Sequence, residues 1–192
     1  MFRFLFYLLY KLMGWKMNPA IPKEVGRCVM IAAPHTSNWD LVHMMGGYYD
    51  MKIPIRFTIK KEWFRFPFSL IMGPLGGIAI DRTPKNPGDA RPSTVEAMAN
   101  LFKEHEVLSV AVTPEGTRAL RTEWKTGFWH TAKLAGVPIC LGYLDYKKKE
   151  AGVGKTIWPS DDLEKDMREI MAFYKTITPC HPELFSLDKR YI

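Results

Sequence analysis

Short apolar runs alternate along the chain with longer stretches of helical spacing, and this alternation predicts an α/β protein with a mostly parallel sheet. Cys28-Val29-Met30-Ile31-Ala32 has the unbroken apolar character of a buried strand. Further strands are expected at Ile53–Ile59, Gly76–Arg82, Val107–Val112 and Val137–Leu141, with a short one at Thr156–Trp158. Helices are expected from near Leu41 to about Asp50, and over Phe64–Met72, Ser93–His105, Thr126–Ala135 and Asp161–Phe173. Ser93 with Glu96 three residues later forms a capping-box signature, and Gly136 stops the helix before it. Thr83–Pro92 carries three prolines and a glycine and reads as a loop. No internal repeat or low-complexity tract interrupts this order, so residues 18–192 are expected to form one domain with helices flanking the sheet.

The first seventeen residues, MFRFLFYLLYKLMGWKM, have a different pattern. Arg3, Lys11 and Lys16 make the apolar stretch too short and too charged to span a bilayer, and Gly14-Trp15-Lys16 is a poor signal-peptidase site. Residues 1–17 therefore predict a short helix lying in a membrane interface, its apolar side chains in the lipid and its basic ones at headgroup level. The other reading is a helix docked on the protein's own core. Asn18-Pro19-Ala20-Ile21-Pro22 separates this helix from the first strand.

Composition narrows the partners. A net charge of +7 favours an anionic ligand or surface, such as lipid headgroups or phosphate groups. Nucleic acid is not expected, because the Lys and Arg residues are scattered and no recognised binding motif occurs. The eleven Met and eleven Phe suit a greasy channel as well as a core. Cys28, Cys140 and Cys180 are widely spaced and show neither a disulfide framework nor a metal pattern, which suits a reducing compartment.

The candidate chemistry lies where strands end. Pro34 closes the first strand, and Thr36, Ser37 and Asn38 are all residues able to cap the next helix. His35 then sits on a strand-to-helix turn with Asp40 five residues on, a general base and its orienting carboxylate. The turn is required, because residues five apart on an unbroken helix lie about 140° apart around its axis. Backbone amides near His35 are the candidate donors to a developing oxyanion. Taken alone, the pair also fits a surface histidine beside a capping aspartate. Thr113-Pro114-Glu115-Gly116-Thr117-Arg118 comes after a second strand at the same expected sheet edge, where open α/β sheets bind ligands. Arg118 offers a fork for phosphate, Gly116 admits unusual backbone shapes, and Glu115 suits an anchor on a basic group or a backbone amide. Asp81-Arg82 ends a third strand, where Arg82 could share one phosphate with Arg118 or form an ordinary surface ion pair.

Together these segments resemble the PlsC-like glycerolipid acyltransferases, the group that includes lysophosphatidic acid acyltransferases. His35 through Asp40 resembles the family's H-x4-D block, Gly77–Arg82 its second block, and Pro114-Glu115-Gly116-Thr117-Arg118 its third. Gly136-Val137-Pro138-Ile139 resembles the fourth, and Lys125 and Gly127 fall where the family often has Lys and Gly. The blocks occur in family order over Cys28 to Tyr143. Pro34 stands where many members have Asn, and Thr113 where Phe is common. The resemblance implies a catalytic pair of His35 and Asp40, and substrate binding by Arg82, Glu115, Gly116, Thr117, Arg118 and Lys125, without a metal. It implies acyl transfer from acyl-CoA or acyl carrier protein, as substrates rather than resident cofactors, to the hydroxyl of a lysolipid. The expected acceptor is 1-acyl-glycerol-3-phosphate, giving phosphatidic acid at the cytoplasmic face of a membrane. The alternatives are another lysophospholipid or a lyso-aminolipid as acceptor, or a basic membrane- or nucleic-acid-binding module with no enzyme activity. A serine lipid hydrolase is disfavoured by the lack of a G-x-S-x-G elbow. Gly154-Lys155-Thr156 is not the end of a P-loop, because Lys149 stands at the required upstream glycine.

Overall fold

A computed structural model describes residues 2–53, 55–59, 66, 69–79 and 92–192. Among the described residues, seven strands form one sheet with six α-helices around it. In chain order the elements are α1 (Phe2–Leu12), β1 (Lys16–Met17), β2 (Arg27–Ala32), α2 (Trp39–Met51), β3 (Ile55–Ile59), α3 (Ser69–Leu75) and β4 (Gly77–Ala79), then α4 (Thr94–Glu104), β5 (Leu108–Val112), α5 (Gly127–Ala135), β6 (Ile139–Asp145), β7 (Glu150–Ile157) and α6 (Leu163–Tyr174). The sheet order is β1-β7-β6-β2-β5-β3-β4, and only the β6–β7 pair is antiparallel.

The central strand β2 explains both the core and the site. It lies between β6 and β5, parallel to each, with Val29 beside Ile139 and Cys28 beside Ser109. Covered on both faces, it has no polar side to show, which is why its sequence is continuously apolar. Its alternate residues point to opposite faces. Val29 and Ile31 pack with Phe128, Trp129, Met167 and Tyr174, while Cys28 and Met30 pack with Met45 and Tyr48 of α2. Because β6, β2 and β5 run parallel, their carboxyl ends emerge side by side at one edge.

Helix boundaries obey local chemistry. Ser93 accepts from the Glu96 amide while the Glu96 carboxylate accepts from the Ser93 amide, a full capping box at the start of α4. Gly136 ends α5 at φ +64°, where a side chain would be strained. At the start of α2, Asn38 holds the cap position without a side-chain cap bond, and Ser37 Oγ instead accepts from the Trp39 amide at 3.2 Å.

The N-terminal segment differs in extent from the expected helix over residues 1–17. Helix α1 ends at Leu12, and Lys16–Met17 adds a parallel edge strand to β7. Helix α1 is also docked: Tyr10 is fully buried, and the helices approach so closely that a Cβ on Gly46 would lie 2.4 Å from the Tyr10 Cβ. Its other face leaves Phe4, Leu5, Leu8 and Leu12 exposed. Among the described residues no helix is long and apolar enough to cross a membrane.

The second difference is β7. The expected strands Val137–Leu141 and Thr156–Trp158 are parts of a longer hairpin, and the lysine run Lys147–Lys149 lies at its turn. Gly152 and Gly154 depress the strand signal, but both are needed for packing. A Cβ on either would meet the ring of Tyr143 or Phe173 at less than 3 Å.

Candidate active site

The turn after β2 is built around one carboxylate. Asp40, in the first turn of α2, is 5% exposed and reaches back over its own N-terminus. Its Oδ2 accepts the amides of Thr36 and Ser37, each at 2.8 Å, and lies 3.2 Å from His35 Nδ1. Its Oδ1 accepts the Tyr146 hydroxyl at 2.6 Å. Burial opposes the charged form, but the bonds from His35, Tyr146 and the Ser37 amide outweigh it and hold the Asp40 carboxyl below the usual aspartate range. An ionised Asp40 requires a proton on His35 Nδ1, which leaves Nε2 as the ring's acceptor.

The turn after β5 supplies the neighbouring wall. Glu115, 7% exposed, accepts the His35 amide with Oε1 at 3.0 Å. Its Oε2 is buried and has no hydrogen-bond partner among the described residues. Burial raises the Glu115 carboxyl to about 7. Gly116 adopts φ +69°, and a Cβ there would come within 2.9 Å of Lys125 Nζ, so the lysine crosses directly over this glycine. The Lys125 amide donates to the Pro114 carbonyl at 2.9 Å, tying the two segments together.

A cavity of about 550 Å³ opens beside these turns. His35, Asp40, Gly116 and Lys125 line it, and Met44, Met51, Phe57, Val95, Met98 and Phe128 give it an apolar wall. Cavities of this size accommodate small ligands or part of a long apolar chain.

The sequence-derived site is thus distributed unevenly. His35, Asp40, Gly116 and Lys125 share the cavity, and Glu115 braces it from behind. Thr117 caps its own turn by accepting the Ala119 amide at 3.2 Å, and Arg118 is exposed on the same loop. Arg82 lies outside the described residues. The expected oxyanion donors need correction: the amides of His35, Thr36 and Ser37 are already given to Glu115 and Asp40, and that of Trp39 to Ser37. Tyr146 escaped the sequence reading. It lies in Asp145-Tyr146-Lys147, which has the composition of a loop, and it meets Asp40 only because β6 runs beside β2.

Comparison with known proteins shows the family and the fold. A family model described as Acyltransferase matches residues 19–140. The chain is 33% identical over 147 residues to the 1-acyl-sn-glycerol-3-phosphate acyltransferase of Salmonella typhimurium, covering 72% of this chain and 56% of that one. It is 32% identical over 140 residues to the enzyme of that name from Haemophilus influenzae, covering 68% and 54%. The chain thus spans little more than half the length of the curated relatives it matches. The crystal structure of the 1-acyl-sn-glycerophosphate (LPA) acyltransferase PlsC from Thermotoga maritima has the same fold, with a TM-score of 0.60 at 16% identity over 90% of this chain and 75% of that one. With residues 19–140, well over half of its length, matched by the family model, the chain belongs to the Acyltransferase family.

Proposed function

We propose that this protein moves a fatty acyl group from acyl-CoA or acyl carrier protein to the free hydroxyl of a lysolipid, with 1-acyl-glycerol-3-phosphate as acceptor and phosphatidic acid as product. The observation that carries this reading is a hydrogen-bonded His35–Asp40 pair on the wall of an apolar cavity. His35 Nε2 takes the proton of the acceptor hydroxyl as that oxygen bonds to the thioester carbonyl carbon. Asp40 fixes the tautomer and stabilises the imidazolium. Collapse of the tetrahedral species breaks the carbon–sulfur bond, and the imidazolium gives its proton to the departing thiolate. Donor and acceptor are both substrates, so this chemistry calls for no resident cofactor.

The remaining roles rest on position and charge. The Met- and Phe-lined cavity receives the acyl chain. Arg118 and Lys125 bind the acceptor phosphate, joined on the strength of the sequence resemblance by Arg82, with Gly116 and Thr117 shaping the turn and Glu115 holding it against His35. The exposed Phe4, Leu5, Leu8 and Leu12 of α1 rest on a membrane, with the exposed Lys16 toward its headgroups, while Lys11 pairs with Asp50. Three free thiols suit the cytoplasmic face.

The test is acyl transfer by the purified chain in lipid vesicles, using labelled acyl-CoA and acyl carrier protein in separate reactions. The acceptors are lysophosphatidic acid, other lysophospholipids and a phosphate-free lyso-aminolipid. Lysophosphatidic acid should be acylated, and His35→Ala should lower the rate by roughly a thousandfold or more. Transfer confined to the phosphate-free lipid would remove phosphate binding from the basic residues. Silence with every acceptor would overturn the reading.

A further inference from the structure

A carboxylate held by one oxygen alone can rotate about its Cβ–Cγ bond and lose its partner. Asp40 Oδ2 carries the His35 bond and both turn amides, so the orientation of that bond depends on what holds Oδ1. The Tyr146 hydroxyl does so, at 2.6 Å, the length of a charge-assisted O–H···O bond. We propose that Tyr146 is a positioning residue for the His35–Asp40 pair, locking the plane of the Asp40 carboxylate from the far side of the ring it serves. Its effect on rate rests on the acyl-transfer reading above; its hold on the carboxylate does not.

Tyr146 is placed to bear this role from three directions. It comes directly after β6, whose parallel pairing with β2 delivers it to the edge where His35 emerges. Its amide donates to the Thr178 carbonyl at 2.9 Å, so the C-terminal segment anchors its backbone. That segment also reaches the turn itself, through the His181 amide on Thr36 Oγ1 at 3.1 Å. The phenol ring stands edge-on to the Trp15 indole at 4.9 Å and 86°, and lies 5.7 Å from the His43 ring. Trp15 in turn stacks on His43 at 4.1 Å. The hydroxyl therefore has little room to leave Asp40.

Among the described residues, five titratable groups surround the carboxylate and its partner. His35 and Tyr146 bond it directly; Glu115 and His43 act on it through space; the Cys180 thiol lies beside Tyr146. Burial pulls His43 down to about 4, so it stays neutral. Burial and the Asp40 charge push the Tyr146 phenol well above its ordinary value, so it remains a protonated donor.

The experiment compares Tyr146→Phe with the parent chain, since Phe keeps the ring packing and removes only the hydroxyl. Carbon-13 titration of the Asp40 carboxyl is carried out without substrate, together with kcat and KM for lysophosphatidic acid acylation. The variant's Asp40 midpoint should move up toward that of an ordinary aspartate, with kcat about tenfold lower and KM within about twofold. Site-specific 3-fluorotyrosine at position 146, a more acidic donor, should move the midpoint the other way and guards against a poorly folded Phe variant. A midpoint unmoved by either replacement overturns the proposal, even if the rate falls, because that pattern marks a purely structural tyrosine. Moved midpoints in a protein that acylates no acceptor would uphold the Tyr146 contact and overturn the proposed reaction instead.

Discussion

The turns after β2 and β5 lie side by side at one sheet edge, yet they are built on opposite terms. In the first, the amides of His35, Thr36, Ser37 and Trp39 and both Asp40 oxygens are all committed to partners inside the protein. In the second, the Glu115 carboxyl turns inward onto the His35 amide, while Arg118 and Lys125 remain exposed at the rim. Proton transfer needs heavy atoms within hydrogen-bond reach, and small misplacements of the reacting groups are expensive in rate. Attraction between full charges falls off slowly with distance, so a long basic side chain can find an anion without being held in advance. The chain invests its order in the dyad and leaves the basic rim open.

The strongest way to break this contrast is Asp40→Asn. The amide keeps the shape but presents a donor or a neutral acceptor to His35, favouring the wrong tautomer, and kcat should fall by roughly a hundredfold or more. A variant within a few-fold of the parent would mean that the ordered turn is not where the chemistry happens. A smaller effect is expected from Arg118→Ala. KM for a phosphate-bearing acceptor should rise about tenfold while kcat stays within about twofold, and the rise should vanish for a phosphate-free lysolipid. A kcat loss as deep as that of Asp40→Asn would erase the difference between the turns.

The smallest effect concerns Glu115, the buried carboxyl of the second turn. The folded Glu115 carboxyl sits near 7, above the unfolded value of 4.5, so the native state holds its proton more tightly. The resulting stability is fully present below the unfolded value and is lost as pH rises through the folded one. Glu115→Gln keeps an acceptor for the His35 amide and escapes that loss. Calorimetry should show it melting a few degrees above the parent near pH 8 and converging with it near pH 4. A parent chain that is the more stable at pH 8 would mean that Glu115 is ionised and paired.

Those parts of the molecule governed by neighbours in sequence were readable in advance. The apolar run of β2, the Ser93–Glu96 box and the Gly136 stop each act over a few residues, and each marks its element. His35 and Asp40 lie five residues apart and meet as the spacing required. What escaped depends on distant partners. Strand β7 hides behind glycines that serve the rings of Tyr143 and Phe173, so packing and propensity pull in opposite directions. The C-terminal segment gave no signal, although Asp188 accepts the Trp124 amide at 2.8 Å and the Arg190 guanidinium at 2.7 Å. Tyr146 reads as a loop residue until β6 is set beside β2. The N-terminal residues held two readings, a helix in a membrane interface and a helix docked on the core; α1 docks through Tyr10 and leaves Phe4, Leu5, Leu8 and Leu12 exposed on its other face.

The amides of Thr36 and Ser37 carry one last consequence. The amino end of a helix is where proteins commonly seat an external anion, because its amides lack internal partners and its dipole is positive. In α2 that seat is filled by the protein's own aspartate. On the proposed reading, an arriving lysolipid phosphate would meet a like charge there and be repelled toward the basic rim, leaving its hydroxyl to face the imidazole. The filled seat would then act as a polarity filter for that substrate, orienting head from tail by charge before any atom of it is gripped.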